Sequence, residues 1–261
     1  MLTAVRASVR LAWFIVLLLA AIVDGTLFGP RNRAQGALWC HRWALRIVRG
    51  IGVNYTVTGT LPTSGPVVVV SNHLSYLDAI LYNAATPFVM VSKSEVRRWP
   101  LIGWIAARAG TIFIQRANVA GGRTQTRDEV NAEMDDALRL APAVLFFPEG
   151  TSTGGAEVLP FRRGLFHSVL EHHVPVQAAA IHYTLNEPNP GMTVEDDVCY
   201  HGKHDFLTHL YRFLGLRGFH AHLHFGEIIP GADHYAIAEN AHAAVAAIYA
   251  ELQQERAVAH V

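Results

Sequence analysis

The residues best placed to do chemistry are Asn72-His73-Leu74-Ser75-Tyr76-Leu77-Asp78, which follow closely on the apolar run Val67-Val68-Val69-Val70. A histidine oriented by a carboxylate removes a proton from a hydroxyl near neutral pH. The spacing constrains how the two side chains meet. Five residues of continuous helix turn about 500°, which leaves the side chains roughly 140° apart. If the pair is to touch, His73 therefore belongs in the turn ahead of a helix and Asp78 on its first turn. Ser75 fits the N-cap of that helix, with Asp78 three residues on at N3. The same residues have a plainer meaning, a capping box closed by Asp78 beside an ordinary loop histidine, and the segment alone leaves both readings open.

Three more loops follow β-rich runs. Gly110-Thr111-Ile112-Phe113-Ile114-Gln115-Arg116 ends a strand on an arginine, ahead of the Asn118 to Gly122 stretch; Arg116 is either a bidentate phosphate clamp or a surface arginine. Phe146-Phe147-Pro148-Glu149-Gly150-Thr151-Ser152-Thr153 leaves a strand through a turn, and its glutamate and hydroxyls suit a polyol or ammonium group. Inside it, Gly150 to Gly154 has the form G-x-S-x-G, the nucleophile elbow of serine hydrolases. An elbow needs an immediate helix, whereas Gly154-Gly155 and Leu159-Pro160 follow Ser152. Val174-Pro175-Val176-Gln177-Ala178-Ala179-Ala180 reads as a strand of small residues, either room for an acyl chain or plain core.

The elements that must position these loops come from the alternation of two periodicities. Tyr55 to Thr58, Pro66 to Val70, Phe88 to Val91, Thr111 to Ile114, Ala143 to Phe147 and Pro175 to Ile181 read as strands. Leu77 to Ala85, Leu101 to Arg108, Arg123 to Leu140 and Gly164 to His172 read as helices. This alternation predicts an α/β fold, a largely parallel sheet flanked by helices over residues 51–261, with functional loops at the carboxyl ends of its strands.

Residues 1–50 have another character. Leu11 to Val23 is an unbroken apolar run of thirteen residues, about 20 Å as a helix against roughly 30 Å of bilayer hydrocarbon. Arginines flank it on both sides. Arg42, Arg46 and Arg49 then follow helical spacing, with Trp39, Trp43 and Ile47 on another side. The pattern predicts a membrane-anchoring helical hairpin, monotopic or re-entrant, with both ends on the cytoplasmic face of the inner membrane and two tryptophans at headgroup level. A signal peptide and a core helix with inward tryptophans are its alternatives. Asp24 to Gln35 reads as the linker.

Hydrophobic residues make up 51% of the 261 and formal charge balances at zero, yet the first fifty carry seven arginines against one acid. A basic, apolar front suits anionic lipid, and no motif for nucleic acid accompanies it. Cys40 and Cys199 are the only cysteines, which excludes a disulfide framework. Among fifteen histidines, His220, His222 and His224 alternate along one strand face, but no carboxylate stands at a telling spacing, so no metal site is expected.

Taken in order, the four loops resemble the conserved blocks of the glycerolipid acyltransferase family, the 1-acyl-sn-glycerol-3-phosphate acyltransferases and their relatives. Asn72-His73 to Asp78 is similar to N-H-x4-D, Gly110 to Arg116 to G-x-x-F-I-x-R, and Phe147-Pro148-Glu149-Gly150-Thr151 to F-P-E-G-T. Val174-Pro175-Val176 is similar to the proline-containing fourth block, and the likeness covers roughly residues 50 to 185. It implies transfer of a fatty acyl group, without a cofactor, from acyl-CoA or acyl carrier protein to the sn-2 hydroxyl of 1-acyl-glycerol-3-phosphate, with membrane lipids as surroundings. By this resemblance His73 is the general base and Asp78 holds its tautomer. Arg116, Glu149, Gly150 and Thr151 would bind the acceptor headgroup, and Arg162 and Arg163 stand where lysines are common and add to the anionic site. Two departures, Gln177-Ala178 in the fourth block and Ser152 where an arginine often follows the threonine, are similar to the branch that acylates lyso-ornithine lipid, as is Trp99 to Trp104.

Overall fold

A computed structural model describes residues 2–62, 65–115, 125–141, 143–202 and 205–259 of the chain. Its strands are β1 (Asn54–Thr58), β2 (Val67–Ser71), β3 (Val89–Lys93), β4 (Ile112–Ile114), β5 (Ala143–Phe146), β6 (Val176–Leu185) and β7 (Phe219–Ile229). They form a seven-stranded sheet in the order β1-β7-β6-β2-β5-β3-β4, every neighbouring pair parallel except β6 with β7. Each expected strand is present within a residue or two at its start, and β6 runs on to Leu185. All five residues of β2 are buried, as a central parallel strand covered on both faces requires.

The helices are α1 (Leu2–Leu27), α2 (Arg33–Gly50), α3 (Leu77–Ala85), α4 (Ile102–Arg108), α5 (Arg127–Leu140), α6 (Gly164–Glu171), α7 (Val194–Asp197), α8 (Phe206–Gly215) and α9 (His234–Ala259). Helix α5 starts four residues later than Arg123. Thr126 and Glu129 form a capping box there, each side chain bonded to the other's backbone N–H, which satisfies two orphan donors at once. On β7, His220, His222 and His224 do share a face, and their rings bond to Thr56, Thr58 and Thr184. Among the described residues no group of His, Cys, Asp and Glu side chains is arranged to hold a metal.

The N-terminal helices are packed onto the body. Helix α1 is 26 residues long and apolar enough to cross a membrane, yet one side of it packs against α2, α4 and α8. Ala7, Leu17, Ala21 and Gly25 are buried on that side, while Val5, Val9, Trp13, Val16, Val23 and Leu27 are exposed. Arg6 donates to the carbonyl of Gly215 at 2.8 Å and Arg10 to that of Leu216 at 2.8 Å. These cations thus close the carboxyl end of α8, where the helix dipole favours them.

Two expectations for this region are corrected. Asp24 to Gln35 is not a linker, since Asp24 lies within α1 and α2 opens at Arg33. Nor do both tryptophans face lipid headgroups, because Trp39 is buried and both indole N–H groups donate to Asp24 Oδ2 at 2.8 Å. A carboxylate between two helices and two indoles that each need an acceptor satisfy one another. Ala37, Ala44, Ile47 and Val48 of α2 share one hydrophobic core with the sheet.

Arg33 fastens the start of α2. It pairs with Asp136 at 2.7 Å and with Glu133, and donates to the carbonyl of Gly110 at 2.6 Å. One turn on, a Cβ at Gly36 would stand 2.8 Å from backbone atoms of Arg108 and Ala109. Backbone cannot yield as a side chain can. Gly36→Ala is therefore expected to lower stability by about 1–3 kcal/mol in equilibrium urea unfolding, with the fold retained by circular dichroism; unaltered stability would show that α2 is not seated this tightly.

Candidate active site

Strands β2 and β5 are parallel neighbours, so the loops after Ser71 and Phe146 emerge side by side at the carboxyl edge of the sheet. His73 occupies the first loop and Asp78 the first turn of α3, as the spacing required, with Nδ1 to Oδ2 at 2.7 Å. Asp78 is wholly buried. Its Oδ2 also accepts from the backbone N–H of Leu74 at 2.7 Å and of Ser75 at 3.1 Å, and its Oδ1 accepts from the Tyr183 hydroxyl. A carboxylate ringed by donors leaves Nδ1 of the imidazole carrying its hydrogen and Nε2 presenting its lone pair. The His73 ring stacks on Phe147, centroids 4.2 Å apart and planes 11° from parallel, and its side chain keeps 22% of its exposure. A reachable imidazole thus stands above an unreachable carboxyl group.

The capping expectation is half met. Asp78 does reach back to the Ser75 N–H, but Ser75 Oγ is buried with no hydrogen-bond partner among the described residues, and Tyr76 occupies the cap position without a side-chain bond. The acid makes the helix start by itself, because its carboxylate also serves the imidazole and closes the turn around it.

Glu149 is only 3% exposed. One oxygen accepts from the His73 N–H at 2.7 Å and the other from the Leu159 N–H at 3.0 Å, while Thr153 N–H donates to the His73 carbonyl at 3.0 Å. The second loop thus holds both backbone groups of the histidine. Gly150 makes that loop possible with φ of 71° and an N–H bond to Phe147 O at 3.1 Å, a left-handed turn that favours glycine. At the other side, Asn72 accepts from Ile181 N–H at 2.9 Å and donates to Ile181 O at 3.0 Å, tying the loop to β6.

The remaining expected site residues are dispersed. Thr151, Arg162 and Arg163 are exposed on the same long loop; Arg162 N–H bonds to Pro148 O at 2.9 Å, and the Arg163 guanidinium stands 4.6 Å over the Tyr235 ring. Arg116 and the Asn118 to Gly122 stretch lie outside the described residues. Ser152 is no nucleophile elbow: its hydroxyl donates to Tyr200 O, and the next helix starts only at Gly164. Ala178, Ala179 and Ala180 are fully buried, so the fourth block is plain core at those positions. Sequence reasoning missed Tyr183, far along the chain on β6, and assigned no role to Asn72. A tyrosine on the strand that begins with the apolar run Ala178 to Ile181 was the available signal.

Burial pushes the Glu149 carboxyl up to about 7, outweighing the two backbone N–H bonds and the nearby His73, which pull it down. Because the folded value exceeds the ordinary 4.5, the group's contribution to stability is full below pH 4.5 and is lost as pH rises through about 7. In Glu149→Gln that dependence disappears. The stability advantage of the wild type over the variant should shrink by up to about 3 kcal/mol between pH 4.5 and 8 in urea unfolding, and a constant difference across that range would contradict the buried placement of Glu149.

Comparison with known proteins bears on the family of the chain. The Acyltransferase family model matches residues 52–182. A lyso-ornithine lipid O-acyltransferase of Pseudomonas aeruginosa is 35% identical over 206 residues, 78% of this chain and 75% of that protein. A 1-acyl-sn-glycerol-3-phosphate acyltransferase of Neisseria gonorrhoeae is 32% identical over 62% of this chain and 60% of its own. In fold, the chain is similar to the 1-acyl-sn-glycerophosphate acyltransferase PlsC of Thermotoga maritima, with a TM-score of 0.61 and 16% identity over 94% of this chain and 98% of that one. With that family model matching half of its length and a relative 35% identical over 78% of it, the chain belongs to the Acyltransferase family.

Proposed function

We propose that the protein is an O-acyltransferase that moves a fatty acyl group from an acyl thioester, acyl-CoA or acyl carrier protein, to the hydroxyl of a lysolipid, with His73 as general base. The observation that carries this is the 2.7 Å bond between His73 Nδ1 and the buried Asp78. It directs Nε2 outward. As the acceptor oxygen attacks the thioester carbonyl, its proton passes to Nε2, and Asp78 stabilises the imidazolium that forms. The tetrahedral intermediate expels the thiolate, which takes that proton back, and an ester has replaced the thioester. No acyl-enzyme is needed, and Ser152, committed to Tyr200 O, offers no nucleophile.

Lyso-ornithine lipid is the acceptor we favour. The relative from Pseudomonas aeruginosa bears that activity in its name, and Ser152 stands where an arginine suited to phosphate often occurs. The second reading is 1-acyl-glycerol-3-phosphate, supported by the relative from Neisseria gonorrhoeae and by Arg116 at the end of its block. Glu149, with both oxygens on backbone N–H groups, supports the loop in this reading and leaves the headgroup to other residues. The exposed apolar stripe of α1 beside the arginine-rich first fifty residues fits a helix lying in the plane of the cytoplasmic face of the inner membrane, its opposite side seated on the protein.

Two measurements test the reading. Detergent-solubilised His73→Ala should lose about 10²–10⁴-fold in turnover with labelled acyl donor while its circular dichroism is unchanged; full turnover by the folded variant would sink the mechanism. Wild-type enzyme offered lyso-ornithine lipid against 1-acyl-glycerol-3-phosphate should give the higher kcat/KM with the former, and the reverse order assigns the phosphate acceptor.

A further inference from the structure

We infer that Tyr183 is a positioning residue of acyl transfer, its hydroxyl holding the Asp78 carboxylate so that Oδ2 stays on the His73 imidazole. The inference rests on the reading of His73 as the base. The torsion that orients a carboxylate is broad and roughly two-fold, so bonds to one oxygen leave the group free to tilt. At Asp78 the imidazole and two backbone N–H groups all converge on Oδ2, and the Tyr183 hydroxyl is the partner of Oδ1. That fourth bond sets the plane of the carboxylate. Tyr183 is suited to the task, being 1% exposed on a central strand with its ring against Phe219 at 5.3 Å.

The placement also closes a clamp. Two residues before Tyr183, the backbone N–H and carbonyl of Ile181 bond to the two ends of the Asn72 amide. One short stretch of β6 therefore holds the beginning of the catalytic loop by a backbone pair and its end by a side chain. Register between the histidine and its acid is set by a strand that carries neither.

Besides Tyr183, the titratable groups that bear on Asp78 are Tyr82 of its own helix α3 and, from neighbouring elements, Cys199 after α7, Tyr249 of α9 and Glu149 after β5. Burial drives Tyr82, Tyr183, Tyr249 and Cys199 far above neutrality, so these four keep their protons between pH 5 and 9, while burial holds the Glu149 carboxyl at about 7. Withdrawing the Tyr183 donor leaves more charge on Oδ2, which favours the imidazolium, and it weakens the ionised form of Asp78. Both consequences move the acid limb of kcat/KM in the same direction, upward.

The test is Tyr183→Phe in the full chain, assayed with labelled acyl donor from pH 5 to 9. The expected result is a plateau lowered about tenfold, an acceptor KM within about twofold of wild type, and an acid limb displaced to higher pH. A fluorotyrosine at position 183 keeps the ring and strengthens the donor, so it should move the limb to lower pH, and it serves also if the phenylalanine variant folds poorly. An unmoved limb in both proteins, whether activity is intact or uniformly reduced, assigns Tyr183 a packing role and overturns the inference. Turnover by His73→Ala would instead overturn the reading beneath it.

Discussion

A carboxyl group taken out of water loses its hydration and must replace it with hydrogen-bond donors of the protein. Asp78 is in that position, with no exposure at all. Its donors come from the turn before α3, from the imidazole and from β6. The requirement ties these three parts together, so the start of a helix, the course of a loop and the identity of a buried strand residue all answer to one acid. His73 gains from it a defined tautomer and a ring plane, which Phe147 then supports from one face.

Glu149 solves a related problem differently. Its two oxygens are spent on backbone N–H groups rather than on a side chain, and burial outweighs those bonds and holds the carboxyl well above its ordinary range. The acid from β5 thereby fixes where the backbone of His73 lies, and the acid from α3 fixes how the ring turns. Two carboxylates serve one imidazole, and neither is exposed enough to meet a substrate freely.

Helix α1 shows how a strongly apolar segment can belong to a folded body. Its small residues Ala7, Ala21 and Gly25 face inward with Leu17, where close approach is useful, while Val5, Val9, Trp13, Val16, Val23 and Leu27 line the outer side. Gly25 sits against Trp39 and Trp104, so Trp39, which a periodic reading places toward lipid, fills the seam between helices instead. The arginines near its start, which resemble the flanking charges of a membrane segment, bond to carbonyls at the end of α8.

Much of this was legible in the chain because it depends on neighbours in sequence. Alternation of β-rich runs with helical patterns determined an α/β fold and the loops at its strand ends; the five-residue spacing determined that His73 precedes α3 and Asp78 begins it, since a continuous helix would part them. The missing helix after Ser152 argued against a nucleophile elbow on the same local grounds. What the sequence did not determine were contacts made across the sheet. That Tyr183 meets Asp78, that Asn72 clasps Ile181, that Glu149 holds the His73 backbone and that Asp24 collects two indoles were decided by tertiary structure alone. Such partners share no spacing or period, and only the satisfaction of buried polar groups, a constraint acting in three dimensions, selects them.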